Sequence, residues 1–550
     1  MRLDPRTLPV LVAAAALLWA AGCSRRPQPP APGTAEPAVA ASPAKDEGAA
    51  HLPPGIDWFE GDVDAAFAAA KAAGKPLFLY WGAEWCPPCA QIKSTIFNKR
   101  EFQERSRLFV PVYLDGDTPS AQRLGERFGV VGYPTMILFR ADGAEITRLP
   151  GGVDVARYAT ILDTALAGAR PVAEILDTAA SGGKLSPDDW RLLAYYSWAT
   201  DNGRVLSASR AVDTFRRLDS ACPREMPPEC ARLHFEYLDA AARAATDGSS
   251  TLDAATRKAD AARLLRVLEA DASVRANVDN LLYAATDAIG LLSEPGSPER
   301  EQLVRAWRAA LDTLAAGGEG LVLTGPEQLN LVRAGILLQR LEAPDAPLPP
   351  ALLDEARNAV ARVDAATPDG YARHAAINAA ANLYFEAGLT DEATRLLVAE
   401  IDTSKSPYYF MLELADLAKK AGREDEAVAW LERAYAGARG PATRFQWGYN
   451  YLVGLLEMTP GDTARIERVG IELLGELDGS PDAFYQRTRL RLEQLSAKLL
   501  DWGQGTERSA VIGRLRARTA TICVGLPAGD EGRRSCEAFL RSAAPATASV

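Results

Sequence analysis

Apolar and polar positions follow two regimes along this chain. From residue 56 to about 168, short apolar runs alternate with helical stretches and are bounded by turn residues. From about 170 onward, helix follows helix, rich in Ala and Leu. In the first regime Asp62–Ala73 has a helix-forming composition and Gly74-Lys75-Pro76 ends it. Leu77–Trp81 is short, apolar and aromatic, which predicts a buried strand, and a helix follows to about Phe97. Leu108–Leu114 predicts a second strand, ending at Asp115-Gly116, and Ser120–Phe128 a short helix. Thr135–Phe139 predicts a third strand, turned by Ala141-Asp142-Gly143 into a fourth, Glu145–Leu149. Asp154 is placed to cap a closing helix to about Ala167. This order predicts an α/β layer with helices on both faces.

The second regime carries one measurable repeat. Ala387-Gly388-Leu389-Thr390-Asp391-Glu392-Ala393 recurs as Ala421-Gly422-Arg423-Glu424-Asp425-Glu426-Ala427, 34 residues later. Pro407 and Pro441, and Ala381 and Ala415, share that offset. The region from about 370 to 440 thus resembles tetratricopeptide repeats, with Tyr384, Leu397, Leu431 and Ala434 at packing positions. Such a solenoid would expose a concave face to a peptide or protein. The aromatic cluster Arg444–Tyr451 reads as core at helical spacing, as do Tyr195, Tyr196 and Trp198.

The N-terminal pattern differs from both. Leu8–Ala21 is mostly apolar, follows Arg2 and Arg6, and is shorter than the roughly twenty residues a spanning helix needs. It ends in Ala20-Ala21-Gly22-Cys23, which resembles a bacterial lipobox with Ala20 in place of the usual Leu. The resemblance implies a signal peptide over 1–22, lipidation of Cys23, and a periplasm-facing chain on a bacterial membrane, with Ser24 leaning toward the outer one. Residues 23–55 are rich in Pro and Ala and read as a semi-stiff tether. With 550 residues the chain exceeds one core, and its net charge of -11 argues against a generic nucleic-acid binder.

Beyond Cys23, the six other cysteines fall into close pairs: Cys86/Cys89, Cys222/Cys230 and Cys523/Cys536. Local pairs suit an oxidising compartment, and the last two read as structural disulfides. No third and fourth ligand accompanies Cys86 and Cys89, so no metal or other cofactor is expected. The three histidines, His51, His234 and His374, all lie far from that pair in sequence, so histidine-based catalysis is not expected.

Ala83-Glu84-Trp85-Cys86-Pro87-Pro88-Cys89, followed about 45 residues later by Val130-Val131-Gly132-Tyr133-Pro134-Thr135, resembles the thioredoxin family over about residues 56–168. Gly74-Lys75-Pro76 and Ile92–Phe97 look most like its disulfide-reductase branch, including the C-terminal domain of the membrane electron-transfer reductase. Cys86 falls at a helix start, where free N–H groups and the helix dipole favour a thiolate nucleophile. Cys89, one turn deeper, would resolve the mixed disulfide. The resemblance implies a cis Pro134 that sets the Tyr133 backbone beside Cys86, with Trp85 also on the substrate side. Tyr80 stands where the family carries a buried Asp, which leaves Glu84 or water to handle the proton.

The expected architecture is an α/β thioredoxin-like domain over 56–168 followed by a large all-α, tetratricopeptide-like array over 169–500. A C-terminal segment, 501–550, would hold the last cysteine pair and a disordered tail from about Ser542. The expected function is a membrane-anchored thiol:disulfide oxidoreductase acting on disulfide-containing client proteins, with a membrane reductase as electron donor. The alternative is an envelope scaffold or client-binding lipoprotein whose repeats carry the main function.

Overall fold

The computed structural model describes residues 52–152, 155–318, 320–344 and 346–541. The leader, Cys23, most of the tether, Asp154 and the tail from Ser542 lie outside the described residues.

Four strands form one mixed sheet: β1 (Leu77–Gly82), β2 (Val110–Asp115), β3 (Thr135–Phe139) and β4 (Glu145–Leu149), in the order β2-β1-β3-β4. β1 pairs parallel with β2 and antiparallel with β3, and β4 is antiparallel to β3. β1 is central and buried along its whole length. Its side chains divide by strand parity. Leu77, Leu79 and Trp81 pack on helix α1 (Val63–Ala73) through Val63, Ala66 and Ala70. Phe78 and Tyr80 face Ile92, Ile96, Phe97, Tyr158 and Ile161 on the other side. Asp62 caps α1 through the Ala65 N–H.

The sequence pattern and the structure differ at three places in this layer. The second strand starts at Val110, because Leu108 sits in a 3-10 turn and is 55% exposed. The helix after the dithiol is broken into α2 (Pro87–Ile92) and a π-helical turn, Lys93–Phe97. A further helix, α3 (Arg100–Arg105), has mostly charged composition, with Phe102 as its buried anchor. Helices α4 (Pro119–Phe128) and α5 (Val155–Leu166) complete the layer.

Helices then fill the chain from Val172 to Ala538. The β1 core does not stop at residue 168. Phe78, Tyr80 and Ile161 belong to the same continuous apolar cluster as Trp190, Leu238 and Trp307. The 34-residue repeat is built as successive helix pairs, Gly370–Glu386 with Thr390–Ile401, then Pro407–Lys420 with Glu424–Gly437. Both pairs turn on a glycine in the left-handed region, Gly388 at φ 73° and Gly422 at φ 72°. The N–H groups at each turn bond back alike, Leu389 to Tyr384 and Arg423 to Ala418. This is the Schellman closure that a positive φ makes available. Ala393 and Ala427 are fully buried at the equivalent close approaches.

Helix Gln486–Trp502 runs across residue 500, and Thr506–Val524 and Glu531–Ala538 follow it. Leu515, Ile522 and Phe539 join Phe445 and Leu473 in one core, so residues 501–541 continue the array. Cys222–Cys230 and Cys523–Cys536 are disulfide-bonded. Among the described residues no helix is long and apolar enough to cross a membrane.

The turn geometry yields a contrast. Gly422→Ala should cost about 1 kcal/mol because its φ is positive. Gly335→Ala, inside the helix Gly325–Glu342 with no atom within 4 Å of the added methyl, should stabilise by about 0.5–1 kcal/mol. Urea midpoints of the two variants should therefore move in opposite directions.

Candidate active site

β1 ends at Gly82, and Ala83-Glu84-Trp85 carries the chain to the start of α2. Cys86 is the N-cap of that helix, and its Sγ accepts the Cys89 N–H at 3.1 Å. Pro87 and Pro88 occupy the first turn, where a helix has no use for their missing N–H groups. Cys86 and Cys89 are joined as a disulfide, and they are only 2% and 0% exposed. The Tyr133–Pro134 peptide is cis. The Tyr133 ring is fixed: its hydroxyl donates to Gly116 O at 3.0 Å and lies 3.1 Å from the Gln122 amide. Trp85 and Tyr133 pack against the cluster of Ala83, Cys86 and Cys89.

The helical array closes over this motif. The Trp85 carbonyl lies 2.8 Å from His374 Nε2, on helix Gly370–Glu386. A carbonyl only accepts, so Nε2 carries the proton. Burial lowers the His374 pKa, opposed by that hydrogen bond. The Trp85 indole N–H donates to Thr443 Oγ1 at 2.8 Å. Tyr409 stacks on the indole with an interplanar angle of 18°, and Trp447 meets it edge-on at 5.1 Å between centroids. The Arg487 guanidinium lies 5.3 Å from the Trp85 ring and 5.2 Å from the Tyr133 ring. Thr443 N–H also donates to Asp117 Oδ1, and Ala442 N–H to the Asp117 carbonyl. Glu126 pairs with Arg489 at 2.9 Å, and the Gln486 amide donates to Val130 O. The expected substrate-side residue Trp85 is thus committed, by carbonyl, N–H and ring, to contacts within the chain.

Behind α2 lies a charged set. Lys93 is 1% exposed, with its Nζ 5.2 Å from the Tyr371 ring centroid and 5.9 Å from that of Tyr113. Burial pushes it down to about 8, against the opposing fields of Asp115 and Glu84. Tyr80 has no hydrogen-bond partner for its hydroxyl among the described residues, and burial raises its pKa far above the ordinary value. It does not replace a carboxylate as a proton carrier at neutral pH. Glu84, proposed from sequence for that task, acts with Asp115 on Lys93.

Sequence reasoning missed His374, Thr443, Arg487, Asp117 and Lys93. The first three lie hundreds of residues from the dithiol, with no local signal to join them. Lys93 did leave one: it falls four residues after Cys89 on a helix whose other inward positions are apolar. His234, by contrast, has its Nδ1 3.0 Å from Asp219, whose carboxylate also pairs with Arg263. Among the described residues no group of three His, Cys, Asp or Glu side chains is arranged to hold a metal.

The mixed sheet, a dithiol at a helix start and a facing cis-proline loop define a thioredoxin-like domain. A family described as a thioredoxin-like domain matches residues 63–166. The thiol:disulfide interchange protein DsbD of Cronobacter sakazakii is 36% identical over 109 residues, 19% of this chain and 19% of its own. Thioredoxin H-type of Oryza sativa subsp. indica is 33% identical over 91 residues, 16% of this chain and 69% of the plant protein. A solved structure of DsbH oxidoreductase, 19% identical, covers 24% of this chain and 96% of its own, with a TM-score of 0.19. The chain belongs to the thioredoxin family through this domain. It spans about a fifth of the length of the bacterial interchange proteins it matches.

Asp117 gives the site a pH dependence. Burial pushes its carboxyl up to about 7, opposed by hydrogen bonds from Thr443 and by Arg487, with Asp115 adding to the rise. A raised carboxyl favours the folded state while protonated, so its contribution is present below the unfolded value near 4 and is lost as pH rises through 7. Stability should fall by about 2 kcal/mol across that window, half of what three pH units would give for a fully buried group. In Asp117→Asn, unfolding midpoints measured between pH 4 and 7.5 should lose that slope.

Proposed function

We propose that this protein is an extracytoplasmic, lipid-anchored thiol:disulfide oxidoreductase that reduces or isomerises disulfides of client proteins through Cys86 and Cys89. The observation that carries the reading is the placement of Cys86 as the N-cap of α2, with Cys89 behind it and the cis Tyr133–Pro134 peptide in front. The helix start favours the Cys86 thiolate. That thiolate attacks one sulfur of a client disulfide, the client S–S bond breaks, and one client thiolate leaves. Cys89, deprotonated, then attacks the Cys86 sulfur and releases the second client thiolate. The client gains two electrons and the Cys86–Cys89 disulfide forms. A dithiol donor, in the cell a membrane reductase, returns the pair to the reduced state.

The lipobox resemblance of Ala20-Ala21-Gly22-Cys23 supports the anchor and the compartment. The two local cysteine pairs elsewhere in the chain fit an oxidising location. The scaffold alternative has less support, because the array directs His374, Thr443 and Arg487 at the redox motif.

The test is disulfide exchange by the full chain with insulin and with a small disulfide, such as glutathione disulfide. Cys86→Ser should lose more than about 100-fold of the wild-type rate. Cys89→Ser should accumulate mixed disulfides through Cys86 that resolve on adding dithiothreitol. Equal rates for wild type and Cys86→Ser would overturn the reading.

A further inference from the structure

We propose that Arg487, supplied by the helical array, is the electrostatic partner of the Cys86 thiolate and biases the dithiol toward its reduced form. The proposal rests on the oxidoreductase reading above and adds a residue that lies outside the thioredoxin-like domain.

Arg487 stands on the wall of the dithiol cluster. The two rings it approaches, Trp85 and Tyr133, are those that pack against Ala83, Cys86 and Cys89. Its Nε and Nη2 are sealed from solvent and have no hydrogen-bond acceptor among the described residues. A sealed cation with unmet donors is costly unless a negative charge comes near. In the disulfide form neither Cys86 nor Cys89 carries charge. Reduction places a thiolate at Cys86 and so adds a full negative charge on this side of the site.

The other charged groups nearby do not serve this purpose equally well. Asp117 is within the field of Arg487, but its Oδ1 accepts the Thr443 N–H, and burial favours its neutral form. Asp115 and Glu84 act on Lys93 behind α2, and Asp115 also acts on Asp117 and Tyr133, though less strongly on Tyr133 than Arg487 does. His374 has its pKa lowered by burial, and its Nε2–H is spent on the Trp85 carbonyl. Arg487 also opposes the burial that raises the Tyr133 hydroxyl, so its field reaches the cis-proline loop.

An attraction felt by the thiolate, but by neither thiol nor disulfide, lowers the Cys86 pKa and stabilises only the reduced partner. The start of α2 acts in the same direction. The array is thereby part of the active site, and it sets how readily the pair accepts electrons.

The experiment uses the full chain as wild type, R487Q and R487K. One readout is the pH dependence of Cys86 alkylation by iodoacetamide, a neutral reagent. The second is the equilibrium in which the protein disulfide and two glutathione thiols give the protein dithiol and one glutathione disulfide. R487Q should move the alkylation curve up by about one pH unit and lower the exchange constant up to about tenfold. R487K, which keeps the charge, should hold both within about threefold of wild type. An R487Q curve that superposes on wild type overturns the proposal. So does R487K departing from wild type by more than threefold, a comparison that stands even if R487Q does not fold. A wild-type protein whose disulfide exchanges no electrons with glutathione overturns the oxidoreductase reading itself, which separates the two failures.

Discussion

The site depends on how Trp85 is held. This residue precedes Cys86, and its carbonyl, its indole N–H and its ring each have a partner in the helical array. Each neutral hydrogen bond of this kind contributes about 1 kcal/mol, and each ring contact about 0.5–1.5 kcal/mol beyond its buried area. Their joint effect is geometric. Because His374, Tyr409, Thr443 and Trp447 come from three different helices, the loop before Cys86 is fixed only when those helices are stacked in register. The repeat geometry, set by Gly388 and Gly422, is therefore connected to the position of a sulfur atom.

The same closure alters the electrostatics. In an open thioredoxin-like domain, water would screen the charges around the dithiol. Here burial depresses Lys93 to about 8 and raises Asp117 to about 7, bringing both closer to neutrality at physiological pH than their ordinary values would. Tyr80, in the place of the family's acid, fills the volume with an aromatic ring against Phe97 and Tyr113. The larger ring adds apolar packing there, and its buried hydroxyl does not carry protons at neutral pH. The charged set of Glu84, Lys93 and Asp115 beside α2 is the remaining ionisable wall on that side.

Much of this was legible in the chain. Strands Thr135–Phe139 and Glu145–Leu149 coincide with the predicted spans, because short apolar runs between turn residues have few alternatives. The cis Tyr133–Pro134 loop followed from a motif specific enough to carry a backbone conformation. Leu108 was misplaced because an apolar residue at a strand edge reads the same whether it enters the sheet or a turn. α3 was invisible because one buried Phe102 gives no period. The aromatic cluster from Phe445 to Tyr451 is buried, yet Trp447 also forms a wall of the redox site, a double role no pattern separates. His374 was set aside for its distance in sequence. Stacking of the helices removes that distance, and nothing in a single chain announces which helix position will face Trp85.

One consequence follows from the core that continues from β1 into the array. The residues that enclose the dithiol lie roughly 290 to 400 positions after it, so they arrive late when the chain is made. Contacts across such separations form late in folding. Until then the dithiol lacks the wall that His374, Thr443 and Arg487 provide, so the enclosure of Cys86 is a property of the finished chain and not of the thioredoxin-like domain alone.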